Sequence, residues 1–357
     1  MTGIRGIAAV WVMLLHAQIH AIWVFSLPLL AKIPLFSIGW RGVDLFFMLS
    51  GFILMYAHGQ EFHEIRKAAL IRFARLRFTR VYPLNAAVAL LIGVLVVLQP
   101  GFVAWERSYH LPSDYSAGAF VRTMLLANRW FLPGNGEWNV PVWSLSMEVL
   151  GYAAFPFLAF WALRITQKWL LIGLSSLSLV AAYVFLQAVH APQWENGQVA
   201  VVRMVSCFVT GIAVYRLWTL AGESAGKSAG WITAVSAVGI LVVGSLSHGG
   251  ISINFFFALL LYGLAFQRGI VNRLLSSRIV VFLGEISFPL YLTHLTPLLW
   301  LWYFIPLKLA AYSTLQKSAI LMCWAAGVMA LSTLLHYFVE KPFHALGRRW
   351  AGARVPG

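Results

Sequence analysis

Long apolar runs separated by short polar breaks set the pattern of this chain. The runs cover roughly 6–25, 38–57, 81–99, 140–162, 169–189, 199–219, 231–247, 251–266, 281–304 and 317–339. A helix needs about twenty apolar residues to cross the hydrocarbon core of a bilayer, so the pattern predicts an all-α, polytopic transmembrane helical bundle of about ten spans. The seventh and eighth runs are the shortest. No repeat or low-complexity tract interrupts the series, which predicts one integral-membrane domain over residues 1–357 with no fused soluble domain. The first run lacks a basic leader and a small-residue cleavage site, and His16 and His20 interrupt it, so it reads as a span and not as a signal peptide. The longest polar break, about 100–139, holds Trp105, Trp130, Trp138 and a GNGEWN turn, and reads as a lid or interfacial loop with short helices.

Ionisable side chains inside a span are costly and mark function. The first span holds Arg5 and His16, eleven residues apart. At about 100° per residue the helix turns nearly three times between them, which places both on one face, roughly 16 Å apart along the axis. A neutral imidazole takes a proton from a hydroxyl near physiological pH, so His16 is the candidate general base. Asp44 and Glu148, in the second and fourth runs, are carboxylates available to orient that ring, although Asp44 also has Arg41 beside it for a purely structural pair. Ser144 and Ser146 are candidate donors to an acyl carbonyl, or bond back to their own backbone. His294 in the ninth run is a second polar group of the pathway, or a satisfied core histidine. His16 and His20 stand four apart without a third ligand at matching spacing, so no metal is expected. Cys207 and Cys323 lie inside apolar runs without CxxC spacing and read as small buried hydrophobes.

Only 10% of the residues are charged, yet the net charge is +15. With the N-terminus inside, 18 of the 26 basic residues fall on inner segments, so the chain is expected to place both termini in the cytoplasm. Attraction to anionic membrane lipids accounts for much of the excess. The stretch RKAALIRFARLRFTRVYP is denser than topology requires and reads as an amphipathic interfacial helix. Its guanidinium groups also suit bidentate pairing with phosphate. Nucleic acid is not an expected partner, because the basic residues flank spans and do not form a soluble face.

Six segments occur in a telling order: RGIAAVWVMLLH from Arg5, GWRGVDLFFMLSGFIL (39–54), RFARLRFTRVYPL (72–84), NVPVWSLSMEVLGYAAFP (139–156), GEISFPLYLTHLTPL (284–298) and EKPF (340–343). Together they resemble the acyltransferase-3 family of integral-membrane O-acyltransferases over nearly the whole chain. The resemblance implies transfer of an acyl group, commonly acetyl, from cytoplasmic acyl-CoA to a hydroxyl of a glycan or lipid-linked sugar in the bacterial inner membrane, with no bound cofactor. It maps the family's Arg-x10-His pair onto Arg5 and His16 and its embedded acidic position onto Asp44. Its RxxR element falls on Arg72 and Arg75, or on Arg77 and Arg80, which with Arg5 become candidate holders of the donor. Its WSLSxE motif falls on Trp143, Ser144, Ser146 and Glu148. Where many members carry a second acidic residue, this chain has Val149. The competing reading is a transporter or an acyl-group conduit, because intramembrane Arg, His, Asp and Glu also build proton relays.

Overall fold

A computed structural model of the chain describes residues 1–23, 33–99, 101–103, 114–128, 130, 138–189, 197–222, 224–246, 252–304 and 312–352. The regular structure among them is helical throughout: α1 (Thr2–Trp23), α2 (Pro34–Ser37), α3 (Arg41–His58), α4 (Lys67–Leu98), α5 (Ala117–Leu125), α6 (Val142–Ala162), α7 (Lys168–Ala188), α8 (Gly197–Thr219), α9 (Ala225–Leu246), α10 (Ser252–Ala265), α11 (Ile270–Leu275), α12 (Arg278–Glu285), α13 (Ser287–Thr293), α14 (Thr296–Phe304), α15 (Thr314–Leu335) and α16 (Lys341–Trp350). A 3₁₀ turn follows α3 at Gly59–Phe62, and a π turn at His336–Glu340 joins α15 to α16.

Eight of the described helices are long and apolar enough to cross a bilayer, and a bent pair makes a ninth. The tenth expected run, the eighth in order, is the 14-residue α10. The seventh starts earlier than its apolar run and fills 22 residues as α9.

At the centre, α3 packs along α8 with unusual closeness. A Cβ built on Gly51 would lie 2.2 Å from the Phe208 carbonyl oxygen, and one on Gly211 would lie 1.9 Å from that of Met48. Small residues let membrane helices approach backbone to backbone, because lipid offers no hydrophobic drive to hold them together otherwise. Met48, Phe52, Met55, Met204, Phe208 and Ile212 close the core around this seam. Helices α1, α6, α7 and α10 surround the pair, and α9 packs outside α10.

Two expected elements are built differently. The arginine run and the third span are one 32-residue helix, α4, and not an interfacial helix followed by a span. At 1.5 Å per residue it is about 48 Å long, well beyond the roughly 30 Å hydrocarbon core, so a single rod carries its arginines from the surface into the bundle. The ninth span is not continuous: it breaks after Glu285, with a 58° bend, and again at His294–Leu295. Proline explains both breaks, since Pro289 and Pro297 lack the N–H that would bond the carbonyls of Glu285 and Thr293, four residues back, and their rings crowd those carbonyls. The longest polar break, about 100–139, does carry the short helix α5, and Trp138 seals against Phe120 and Tyr115. Trp105, Gly134–Glu137 and the side chain of His20 lie outside the described residues.

Candidate active site

Helix α6 sets Ser144, Glu148 and Tyr152 one turn apart on a single face. That face closes one side of a cavity of about 330 Å³, whose other walls bring Arg5 from α1, Ser50 from α3, Arg77 and Arg80 from α4, Tyr291 from α13 and His344 from α16. Glu148 Oε1 accepts hydrogen bonds from Ser50 Oγ at 2.8 Å and Tyr152 Oη at 2.7 Å. Ser144 Oγ donates to the Pro141 carbonyl at 3.1 Å, which leaves its lone pair to accept from Tyr291 Oη at 2.6 Å.

The opposite wall is basic. The Arg77 guanidinium lies 5.6 Å from the Phe73 ring centre and 5.8 Å from that of Tyr152, and donates to His58 Nε2 at 3.2 Å. His58 therefore carries its proton on Nδ1 and gives it to Glu61 Oε1 at 2.9 Å. Arg80 pairs with Glu340 and donates to His344 Nε2 at 2.9 Å. Arg5 makes no hydrogen bond or ion pair with any described residue, so its donors remain open to the cavity.

Of the four arginines expected on α4, only Arg77 and Arg80 reach this cavity. Arg72 and Arg75 point off the same helix elsewhere: Arg72 is 3.8 Å from Glu61 at the surface, and Arg75 donates to the Trp350 carbonyl at 3.1 Å and stacks on its ring. The helical period decides this, because positions 73, 77, 80 and 84 share one face and 72 and 75 do not.

His16 meets His294 across the bundle, with ring centres 4.6 Å apart. A hydrogen-bond order follows from the acceptors. The Tyr291 carbonyl only accepts, so His294 Nδ1 holds a proton and donates it at 2.7 Å. The Val12 carbonyl likewise requires a proton on His16 Nδ1, at 3.0 Å, and that same N–H reaches the lone pair of His294 Nε2 at 3.2 Å. In this neutral arrangement His16 Nε2 carries the free lone pair. The expected carboxylate partner is thus replaced by a second imidazole and a carbonyl. Tyr291 joins the two parts of the site, since it lines the cavity with its ring 6.0 Å from that of His294.

Asp44 stands elsewhere. It is fully buried and takes Arg41 at 2.8 Å on one oxygen and Arg203 at 2.8 and 3.0 Å on the other, with the Trp40 ring over both guanidinium groups. Its geometry is that of a buried ion cluster tying α3 to α8. Trp143 belongs to this cluster, 5.6 Å from the Arg203 guanidinium, and is not on the cavity wall. Ser146 also leaves the site, donating to the Asn128 carbonyl at 2.6 Å. Among the described residues, no three of His, Cys, Asp and Glu gather closely enough to hold a metal.

Sequence reasoning missed Ser50, Tyr152, Tyr291, Arg203, His336, Glu340 and His344. Tyr152 was within reach as the residue one turn after Glu148, and Glu340 and His344 share the same spacing.

Residues 1–339 match the acyltransferase domain family. Acyltransferase MdmB of Streptomyces mycarofaciens is 28% identical over 384 residues, covering 100% of this chain and 94% of the relative. Protein 2 in picA locus of Rhizobium radiobacter is 31% identical over 194 residues, 51% of this chain and 92% of that protein. O-acetyltransferase OatA of Staphylococcus aureus is 22% identical over 323 residues, 82% of this chain but 49% of that longer protein. No solved structure matches the chain. With the bundle of apolar helices and the match over nearly its full length, the chain belongs to the acyltransferase domain family and is a multi-pass membrane acyltransferase.

Proposed function

We propose that the enzyme moves an acyl group, acetyl in the simplest case, from acyl-CoA to a hydroxyl of a sugar acceptor, a glycan or a lipid-linked sugar. The observation that carries the reading is the hydrogen-bond order of the histidine pair, which leaves a lone pair on His16 Nε2. His16 takes the proton of the acceptor hydroxyl as its oxygen attacks the thioester carbonyl carbon. The tetrahedral intermediate then expels the CoA thiolate, which recovers that proton from the imidazolium, so ester and thiol are the products. His294 Nε2 accepts from the imidazolium that forms on His16, in the role expected of a carboxylate.

The donor reading is supported by the open guanidinium of Arg5 beside Arg77 and Arg80, because cations in a partly enclosed cavity suit a phosphorylated ligand. The acetyl and O-linked assignments are supported by the name of the Staphylococcus aureus relative. The excess of Lys and Arg at the end of the bundle bearing Arg5 supports a cytoplasmic N-terminus in the bacterial inner membrane, with donor and acceptor approaching from opposite faces.

Oriented proteoliposomes test the reading. Acetyl-CoA supplied on the Arg5 side should label a membrane-impermeant sugar confined to the other side, and His16→Ala should lower the rate by about 10²- to 10⁴-fold while insertion stays normal. Labelling at the wild-type rate by a well-inserted His16→Ala protein overturns the base, and labelling only when both substrates share one side overturns the sidedness.

A further inference from the structure

A second cavity, of about 560 Å³, lies beyond the arginines of the first. Its walls are the N-terminal turn of α1, the end of α12, the π turn and α16. Arg5, Arg80 and His344 line both cavities, so the two meet at these side chains.

The charges of this second space do not cancel internally. Glu340 is buried and already shared, with Arg80 on one oxygen and His336 Nδ1 at 2.6 Å on the other. Arg5 is unpaired among the described residues, and Lys341 and Arg348 add two further cations, of which Lys341 lies over the Tyr337 ring, at 4.2 Å. Glu285 is the other acid on the wall. His336, 6% exposed, presents a second signal: its Nδ1 is taken by Glu340, while Nε2 is buried with no hydrogen-bond partner among the described residues. A buried orphan nitrogen costs the protein its desolvation unless something outside the fold bonds to it.

Local sequence explains how these groups converge. Pro342 cannot donate to the Phe338 carbonyl, and the chain accommodates it with the π turn, a form often found at functional sites. That turn brings His336 and Glu340 to one side and starts α16 there. Gly347 then lets α16 rest on Thr79, since a Cβ at 347 would lie 1.9 Å from Thr79 Oγ1. The helix is thereby laid along the arginine half of α4.

We infer that this second cavity is the site for the phosphorylated nucleotide end of the donor, with Arg5, Lys341 and Arg348 facing its phosphates and His336 Nε2 bonding its ribose or phosphate groups. This rests on the acyl-CoA reading above. The thioester arm passes between Arg5 and Arg80 into the first cavity and runs beside α1, bridging the roughly 16 Å from Arg5 to His16. Helix α16 thus reads the nucleotide, Arg5 and Arg80, which line both cavities, face the phosphates where the two meet, and the rest of the first cavity takes the arm.

Binding of CoA, dephospho-CoA and pantetheine to the detergent-purified full chain, followed by calorimetry, tests the assignment. Lys341 and Arg348 are exposed, so Lys341→Gln with Arg348→Gln leaves packing intact. The double variant should bind CoA about tenfold or more weakly, as expected for lost charge-assisted bonds, and pantetheine as the wild type does. Adenosine 3′,5′-bisphosphate should displace CoA from the wild type. Equal weakening of all three ligands, or none for CoA, overturns the nucleotide site and leaves the donor reading standing. A wild type that binds pantetheine as tightly as CoA overturns the site as well, and one that binds no CoA overturns both. Displacement of CoA by phosphatidylglycerol vesicles but not by the bisphosphate would assign the cavity to a lipid headgroup and overturn the proposal.

Discussion

Replacing Gly211 by alanine should force apart the two helices at the centre of the molecule. The new methyl would sit 1.9 Å from the Met48 carbonyl oxygen, where real contacts do not fall under 3.0 Å, so α3 and α8 must separate by about 1 Å. The same seam is crossed by the Asp44–Arg203 pair at 2.8 Å, and a shift of that size stretches it to about 3.8 Å, beyond hydrogen-bond range. Overpacking of a dense core costs about 1–3 kcal/mol, and loss of a charge-assisted bond costs about 1.5–3 kcal/mol more. Taken together, Gly211→Ala should lose about 3 kcal/mol or more. Gly173 supplies the control, because a Cβ there meets nothing within 4 Å. The assay is thermal unfolding of both variants in the same detergent, followed by size-exclusion recovery. Gly211→Ala should melt well below wild type, and Gly173→Ala at or slightly above it, as expected for a better helix former on an open face. Equal melting of the two variants would refute the backbone-contact argument.

Three further outcomes follow from the site. Arg77→Ala with Arg80→Ala should weaken acyl-CoA binding by at least about tenfold, whereas Arg72→Ala with Arg75→Ala should leave it unchanged; calorimetry reads both, and the opposite order would remove the arginines from the cavity argument. His294→Ala should reduce turnover without changing acyl-CoA affinity, by removing the acceptor for His16 Nδ1–H; an unaltered kcat would show that Val12 alone orients the ring. Asp44→Asn should cost about 3–5 kcal/mol, since it leaves two buried guanidinium groups short of a counter-charge, and a thermal midpoint equal to wild type would contradict that cost.

The sequence pattern places most of the helices, because each span is specified by its own apolar length, but it does not show that the arginine run and the third span form one rod. Arg5, Glu148 and Ser144 could also be located, since a charge or hydroxyl in a span has few places to go. What escaped were the pairings. Asp44 reads as a site residue until Arg203, 159 positions away, is seen to claim it. The two breaks in the ninth span were written in Pro289 and Pro297, but a hydropathy count averages over the missing N–H groups. Arg72 and Arg77 look equivalent in a list of basic residues and are separated only by helical phase.

The broken ninth span also sets an order of construction. Its interruptions free backbone carbonyls that lipid cannot satisfy, and the rest of the chain caps them: Asn139 Nδ2 bonds the Leu292 oxygen at 2.8 Å, and Trp324 Nε1 bonds that of His294 at 2.8 Å. The first cap is synthesised before the break and the second after it. On a translating ribosome, then, the turn that carries His294 is expected to reach its final pose only once α15 has emerged and inserted. If the histidine pair acts as proposed, catalytic competence is a late event in biogenesis, and nascent chains stalled before Trp324 should expose His294 to histidine-directed labelling that the finished protein resists; equal labelling of the two would deny the order.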